Sequence, residues 1–191
     1  MKIAITGKGG VGKTTIAAAI ALIVAERGDS VLAVDADPDA NLASALGIPY
    51  SKHERIRTIS QEKTLIEERT GSGAFGGIFK LNPHVSDIAE KYAYRQRGVD
   101  LIVLGAVRAG GSGCACPESA LLRTLVQELV LRRREHLVLD MEAGIEHLGR
   151  ATAKGVDCLI AVAEPGARSI ATVQRIAEMA RQIGIAKTVV V

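Results

Sequence analysis

Short apolar runs alternate along the chain with longer helix-like segments. Six runs, most of them continuously apolar, predict strands buried on both faces: Lys2–Thr6, Ser30–Val34, Asp100–Leu104, His136–Leu139, Asp157–Val162 and Lys187–Val191. The intervening segments predict helices at Thr15–Arg27, Ala40–Leu46, Ser119–Arg133, Ile145–Lys154 and Arg168–Ile183. This order predicts an α/β fold, with a three-layer, doubly wound and mostly parallel sheet that is flanked by helices and binds ligands at the carboxyl ends of its strands.

Residues 49–98 interrupt this alternation. They combine a charged, helix-like stretch, Ser60–Arg69, with a glycine-rich segment at 71–77. We interpret the region as an insertion on the ligand face of a single domain spanning 1–191, where it forms either a mobile partner-facing flap or an inert surface excursion. The chain ends at Val191 within a predicted core strand, so we expect a C-terminus that is shortened relative to related chains.

Composition narrows the class of protein. The 191 residues are 48% hydrophobic, which suffices for one well-packed domain. The longest apolar run, Ile16–Ala25, is shorter than the roughly 20 residues that cross a bilayer, so we expect a cytoplasmic protein without a membrane partner. A net charge of +3 and an aromatic content of 3% do not indicate a nucleic-acid partner.

The first predicted strand runs directly into a phosphate-binding loop. Gly7–Thr14 fits the pattern G-x-x-x-x-G-K-[ST], in which glycines allow backbone N–H groups to turn toward phosphate oxygens. Lys13 is expected to reach the β- and γ-phosphates and Thr14 to hold Mg²⁺, while the helix that follows directs its positive N-terminus at the anion. The residues predicted to contact the nucleotide here are Gly7, Lys8, Gly9, Gly10, Val11, Gly12, Lys13, Thr14 and Thr15.

Two acidic clusters follow predicted strands and should meet this loop. In the first, Asp35 and Asp37 are candidates for the surroundings of the γ-phosphate and Mg²⁺, with Asp37 acting on water and Asp39 lying near a helix cap. The second cluster begins at Asp140, which ends an apolar run as the magnesium-orienting aspartate of a Walker B strand does. Gly144 could offer a backbone N–H to the γ-phosphate.

Two cysteines suggest a separate metal site. Cys114 and Cys116 are two residues apart, so in an extended backbone both thiols project to the same side and can bind one soft metal ion. Because tetrahedral coordination requires four ligands, a two-fold dimer that contributes the pair twice is the simplest complete site. An incidental pair of thiols and a redox pair remain alternatives at this point.

The loop also carries a family resemblance. Lys8–Thr14 resembles the deviant Walker A loop of the MinD, ParA and nitrogenase iron protein group of P-loop NTPases, which has an extra lysine at the position of Lys8. With the segments 113–117 and 140–150, the whole chain is similar to the CooC-type accessory ATPases, a family that matures nickel carbon monoxide dehydrogenase.

The resemblance implies specific roles. It implies an ATP-dependent homodimer in which Lys8 acts on the partner's phosphates, Asp37 activates water and Asp140 is the switch II aspartate. It also implies that Cys114 and Cys116 of both subunits bind Ni²⁺, or Zn²⁺, and that the client is apo carbon monoxide dehydrogenase. Catalysis would then rest on Lys8, Lys13, Asp37 and Asp140, with ATP and Mg²⁺ as cofactors.

Two other functions stay open on the sequence. An iron–sulfur cluster that bridges two subunits would also use four thiolates, although in the nitrogenase iron protein the bridging ligands are far apart in sequence and not arranged as C-x-C. A positioning ATPase that works on DNA or membrane would be expected to carry a basic stripe or an amphipathic terminal helix, and the sequence shows neither.

Overall fold

The computed structural model describes residues 1–72, 79–105, 117–132, 135–141 and 155–191. Within them, the strands are β1 (Lys2–Gly7), β2 (Val31–Ala36), β3 (Tyr94–Gln96), β4 (Val99–Val103), β5 (His136–Met141), β6 (Cys158–Val162) and β7 (Thr188–Val190). The helices are α1 (Lys13–Glu26), α2 (Leu42–Ala45), α3 (Lys63–Thr70), α4 (Ile88–Tyr92), α5 (Pro117–Arg132) and α6 (Ala167–Gln182).

These strands form one sheet in the order β3-β4-β2-β5-β1-β6-β7. Every neighbouring pair is parallel except β3 and β4. One apolar core lies between the sheet and helices α3, α4, α5 and α6, and a second lies between the opposite face and helices α1 and α2. The predicted three-layer, mostly parallel α/β fold is confirmed, since burial on both faces explains why the central strands are continuously apolar.

The described part of residues 49–98 contributes buried apolar side chains to the core. Two 3₁₀ segments, Tyr50–Arg55 and Ile59–Gln61, precede α3 and α4, and Ile59, Ile66 and Ile88 are buried against α5 and the sheet. This part of the region is therefore not an inert surface excursion, because it covers apolar surface that would otherwise face water. Its role in contacting a partner stays a prediction.

Sequence reasoning missed strand β3. This strand is short, and it pairs antiparallel with β4 through a two-residue turn, Arg97–Gly98, in which both residues have positive φ. Tight hairpins require that geometry, and the Arg-Gly pair gives a weaker signal for it than Asn-Gly or Asp-Gly.

Strand β7 is the last strand on its side of the sheet among the described residues. In the described ranges β7 pairs with β6, and Val190 and Val191 are 55% and 54% exposed. A run of β-branched residues has the same pattern in an edge strand as in a buried one, so the sequence does not distinguish the two. Helix α2 is also shorter than predicted, because Ala40 has a φ of 46° and lies outside the helix.

The ends of helices α1 and α6 follow a common glycine pattern. Gly28 and Gly184 follow the ends of α1 and α6 with positive φ, as helix-terminating glycines do. The predicted helix at 145–154 lies outside the described residues. In the described ranges, no helix is long and apolar enough to cross a membrane.

Candidate nucleotide-binding site

A cleft of about 440 Å³ opens at the carboxyl ends of β1 and β2. Its lining comes from the loop between β1 and α1 and from the loop that follows β2: Gly9, Gly10, Gly12, Lys13, Thr14, Asp37, Pro38, Asp39 and Asn41. Helix α1 begins at Lys13, directly after Gly12, whose φ is 93°. The N–H groups of its first turn therefore have no intrahelical acceptor and are available to an anion in the cleft.

Lys13 is buried at the base of the loop between β1 and α1. Its side chain is largely buried, and the residue as a whole is only 6% exposed. Nζ donates a hydrogen bond of 3.4 Å to the carbonyl oxygen of Lys8, which closes the loop over the ammonium group. This bond is long, so exchanging it for a phosphate oxygen costs little.

The buried Asp35 carboxylate holds the loop that follows β2 through hydrogen bonds from the loop backbone. Its side chain is fully buried, and its two carboxylate oxygens accept hydrogen bonds from the backbone N–H groups of Asp37 and Leu42, at 3.2 Å and 2.9 Å. Leu42 is the first residue of α2, so Asp35 caps a helix that begins seven residues later. Asp35 thus lies beneath the cleft and positions Asp37, whereas Asp39, the residue expected near the cap, lines the cleft.

Burial and the negative charge of neighbouring carboxylates raise the pKa of Asp35 and of Asp140. Burial raises the pKa of Asp35 to about 7, with further contributions from the negative charges of Asp140 and Asp37 and opposition from its two backbone hydrogen bonds. Burial also raises the pKa of Asp140, as does the charge of Asp37, while the Thr14 hydroxyl and the Lys13 charge lower it. A cation between these groups would relieve the repulsion.

The residues present fit a magnesium ion. Asp140 is fully buried at the end of β5, and neither of its carboxylate oxygens accepts a hydrogen bond from any described residue. The Thr14 hydroxyl is close enough to lower the pKa of this carboxyl group. Buried carboxylate oxygens that lack partners are costly, and an ion or its water shell next to Thr14 would satisfy them.

Sequence reasoning did not assign Pro38 and Asn41 to the site, although both line the cleft. The signal available was their position in the acidic cluster after β2. Asp37 and Asp39 are connected here, because the Asp39 N–H donates a 3.0 Å hydrogen bond to Asp37 Oδ1. The loop therefore presents the Asp37 carboxylate from a fixed backbone.

The remaining loop residues predicted to contact nucleotide lie around the cleft. Gly7 ends β1, Val11 packs against the core beside α1, and Thr15 is exposed on the first turn of that helix. Lys8 points toward Glu164 after β6, and its Nζ is 3.0 Å from Glu164 Oε1. The nucleotide contacts predicted for these four residues therefore stay predictions.

The other predicted site residues lie outside the described part of the chain. These are Gly144, Cys114 and Cys116. In the ranges that the structure does describe, no group of three or more His, Cys, Asp or Glu side chains could hold a metal ion. Cys158, which the sequence places in an apolar strand, is half-buried at the start of β6 and packs against the core.

A parallel sheet with a glycine-rich loop that wraps a buried lysine at the start of a helix defines the P-loop class of nucleotide-binding proteins. Over residues 2–190 the sequence matches the family described as the CobQ/CobB/MinD/ParA nucleotide binding domain. The chain belongs to this family, as the resemblance to the MinD and ParA group implied.

The chain is also similar to individual proteins, both in sequence and in structure. The chain is 49% identical over 186 residues to the carbon monoxide dehydrogenase accessory protein CooC of Rhodospirillum rubrum, covering 97% of this chain and 71% of that protein. It is 46% identical over 187 residues to an uncharacterized ATP-binding protein of Methanocaldococcus jannaschii, with the same coverage of each. Among solved structures, the MinD cell division protein of Aquifex aeolicus aligns with a TM-score of 0.65 and 25% identity, covering 100% of this chain and 68% of that one.

Proposed function

We propose that this ATPase is an accessory protein for a carbon monoxide dehydrogenase and that it delivers nickel to the apo-enzyme. The observation that carries the proposal is the 49% identity to a carbon monoxide dehydrogenase accessory protein over almost the entire chain. A cleft built for a nucleoside triphosphate, lined by Lys13, Thr14 and Asp37, supports the ATPase part. We place the protein in the cytoplasm, where the apo-enzyme would be met.

We assign tasks in ATP hydrolysis to Lys13, Thr14, Asp37, Asp140 and Gly144. The loop N–H groups and Lys13 bind the β- and γ-phosphates and stabilise the charge that develops on them. Asp37 orients and polarises the attacking water, and Asp140 and Thr14 would hold Mg²⁺, which neutralises phosphate charge when bound. The Gly144 N–H would contact the γ-phosphate, so that loss of this contact after hydrolysis resets the protein.

Nickel binding is proposed for Cys114 and Cys116. Two thiolates from each of two chains give the four soft ligands that such an ion accepts, and Zn²⁺ would fit the same set. The homodimer is therefore part of the proposal, with one metal ion on its two-fold axis. ATP binding would bring the two chains together, and Lys8 would then act on the partner's phosphates.

A nickel titration tests this proposal. We expect the reduced apo protein to bind one Ni²⁺ per two chains, and the Cys114→Ser/Cys116→Ser variant to bind none, because only the thiolates complete the site. Metal stoichiometry and molar mass should be measured together. Cys158→Ser is the matched control, since Cys158 is a half-buried strand residue and its loss should leave the stoichiometry unchanged.

The outcomes of this titration are distinct. Unchanged stoichiometry in the Cys114→Ser/Cys116→Ser variant would refute the nickel site while leaving the ATPase assignment intact. A visible cluster absorption band after anaerobic reconstitution, lost in the same variant, would instead indicate an iron–sulfur protein.

Replacing Asp37 tests the catalytic assignment. We expect Asp37→Ala to bind ATP as the parent does but to hydrolyse it at least about 100-fold more slowly, because the attacking water loses its orienting carboxylate. Asp39→Ala is the matched control, since Asp39 lines the same cleft and contributes only its backbone N–H to Asp37. Phosphate release measured at saturating ATP separates the two variants, and equal rates would refute the role of Asp37.

A further inference from the structure

The ion pair between Lys8 and Glu164 is built into the pairing of two strands. β1 and β6 are parallel neighbours, and Gly7 at the end of β1 is in register with Val162 at the end of β6. Lys8 lies one residue beyond this pair and Glu164 lies two residues beyond it. The side chains that leave the two strands therefore meet at the same edge of the sheet, where Nζ and Oε1 are 3.0 Å apart.

The backbone of each residue in the pair makes one further hydrogen bond. The Glu164 N–H donates a 3.2 Å hydrogen bond to the hydroxyl of Ser169, a buried residue in the first turn of α6. On the other side, the Lys8 carbonyl oxygen accepts the hydrogen bond from Lys13 Nζ. The hydrogen bond to the Lys8 backbone is the longer of the two, and both charged ends of the pair are exposed.

The same contacts link the pair to the nucleotide. A phosphate in the cleft attracts the Lys13 ammonium, and Lys13 then gives up its bond to the Lys8 carbonyl. The Lys8 carbonyl oxygen would then lack this partner, so we expect the pair with Glu164 to loosen when nucleotide binds. Lys8 itself does not line the cleft of its own chain, so a free Lys8 has charge available for an acceptor elsewhere.

We propose that Glu164 is a positioning residue that holds Lys8 in a resting position on its own chain, and that nucleotide binding releases Lys8 for the phosphates of a second copy. This inference rests on the proposed ATP-driven dimer and adds the group that opposes it. Lys8 and Glu164 are 47% and 51% exposed at their side chains, so the pair is weak. The ion pair sets a threshold for dimerisation, because it raises the chain concentration that dimerisation requires without preventing it.

The first arm of the test needs neither nucleotide nor dimer. Acetylation of Lys8 by an N-hydroxysuccinimide ester is followed by peptide mass spectrometry in dilute, nucleotide-free protein, with Lys187 as the internal reference. We expect Glu164→Gln to speed the modification of Lys8 between about twofold and fivefold, because the parental ion pair holds Lys8 Nζ against Glu164 Oε1 and limits the approach of the ester. Glu178→Gln, an exposed glutamate of α6, makes the same change in net charge and should have no effect.

The second arm measures dimerisation. With Mg–ATP under conditions of slow turnover, the chain concentration at half-dimerisation should fall between about twofold and fivefold in Glu164→Gln and stay at the parental value in Glu178→Gln. Sedimentation velocity gives this concentration. A merely structural role for Glu164 would not move the acetylation rate of Lys8, whereas a role that acts through Lys8 changes both readouts.

Each outcome decides a different point. An unchanged acetylation rate in Glu164→Gln overturns the resting position, and a faster rate without any shift in dimerisation overturns the threshold. A parent that stays monomeric with Mg–ATP overturns the proposed dimer and with it the release of Lys8. That failure is recognisable because the acetylation arm gives its result without nucleotide.

Discussion

Replacing Lys13 with alanine is expected to weaken ATP binding about 100-fold and to remove measurable hydrolysis. The Lys13 ammonium is the buried positive charge of the cleft, and its charge-assisted bonds to the β- and γ-phosphates would each contribute about 1.5–3 kcal/mol. The loss in the transition state is at least as large, because negative charge spreads over the transferred phosphoryl group. Binding of a fluorescent ATP analogue and release of phosphate measure the two effects.

A matched lysine controls for the loss of charge. Lys187 is exposed immediately before β7, at the end of the sheet away from the cleft, so Lys187→Ala should bind and hydrolyse ATP as the parent does. Thermal unfolding of both variants establishes that the fold is retained. Parental affinity and turnover in Lys13→Ala would mean that the loop is not the phosphate site.

Replacing Gly7 with alanine is expected to lower the free energy of unfolding by about 3 kcal/mol. A Cβ atom at this position would lie 2.4 Å from the carbonyl oxygen of Val162. The obstructing atom belongs to the backbone of the neighbouring strand, so β1 and β6 must move apart and lose hydrogen bonds to make room. Urea unfolding measures the loss, and nucleotide affinity should fall with it because the loop starts at Gly7.

Gly166→Ala provides the comparison for this substitution. Apart from Gly166 itself and its two chain neighbours, no described residue has an atom within 4 Å of the position that this Cβ would take, so the free energy of unfolding should change by less than about 0.5 kcal/mol. If Gly7→Ala unfolds at the same urea concentration as Gly166→Ala, the close approach of β1 to β6 is not the reason for a glycine at position 7.

The phosphate loop shows which parts of a site are readable from sequence. Its glycines, Lys13 and Thr14 lie within eight consecutive residues, and the backbone geometry that they require is local. The strands and the three layers were also predictable, because burial on both faces produces continuous apolar runs. The apolar runs that gave β2 and β5 likewise placed Asp35 and Asp140 at the end of the sheet where the loop lies.

The roles within the acidic clusters depend on contacts between distant residues. Sequence spacing suggested a cap near Ala40, whereas the structure gives the capping role to Asp35, because its carboxylate reaches the N–H of Leu42 through the interior. The pairing of β1 with β5 brings Asp140 next to Thr14, although the paired residues are more than 100 positions apart in the sequence. No local sequence pattern predicts which distant strands pair or in what register.

The sequence by itself determined that this chain is a P-loop protein with a parallel α/β sheet, because both properties arise from short-range backbone geometry and from the burial of consecutive residues. Only the tertiary structure decided that β7 pairs with β6, that Asp140 is buried without a hydrogen-bond partner among the described residues, and that Lys8 forms an ion pair with Glu164. These features follow from strand order and register, which are set by the packing of the whole sheet.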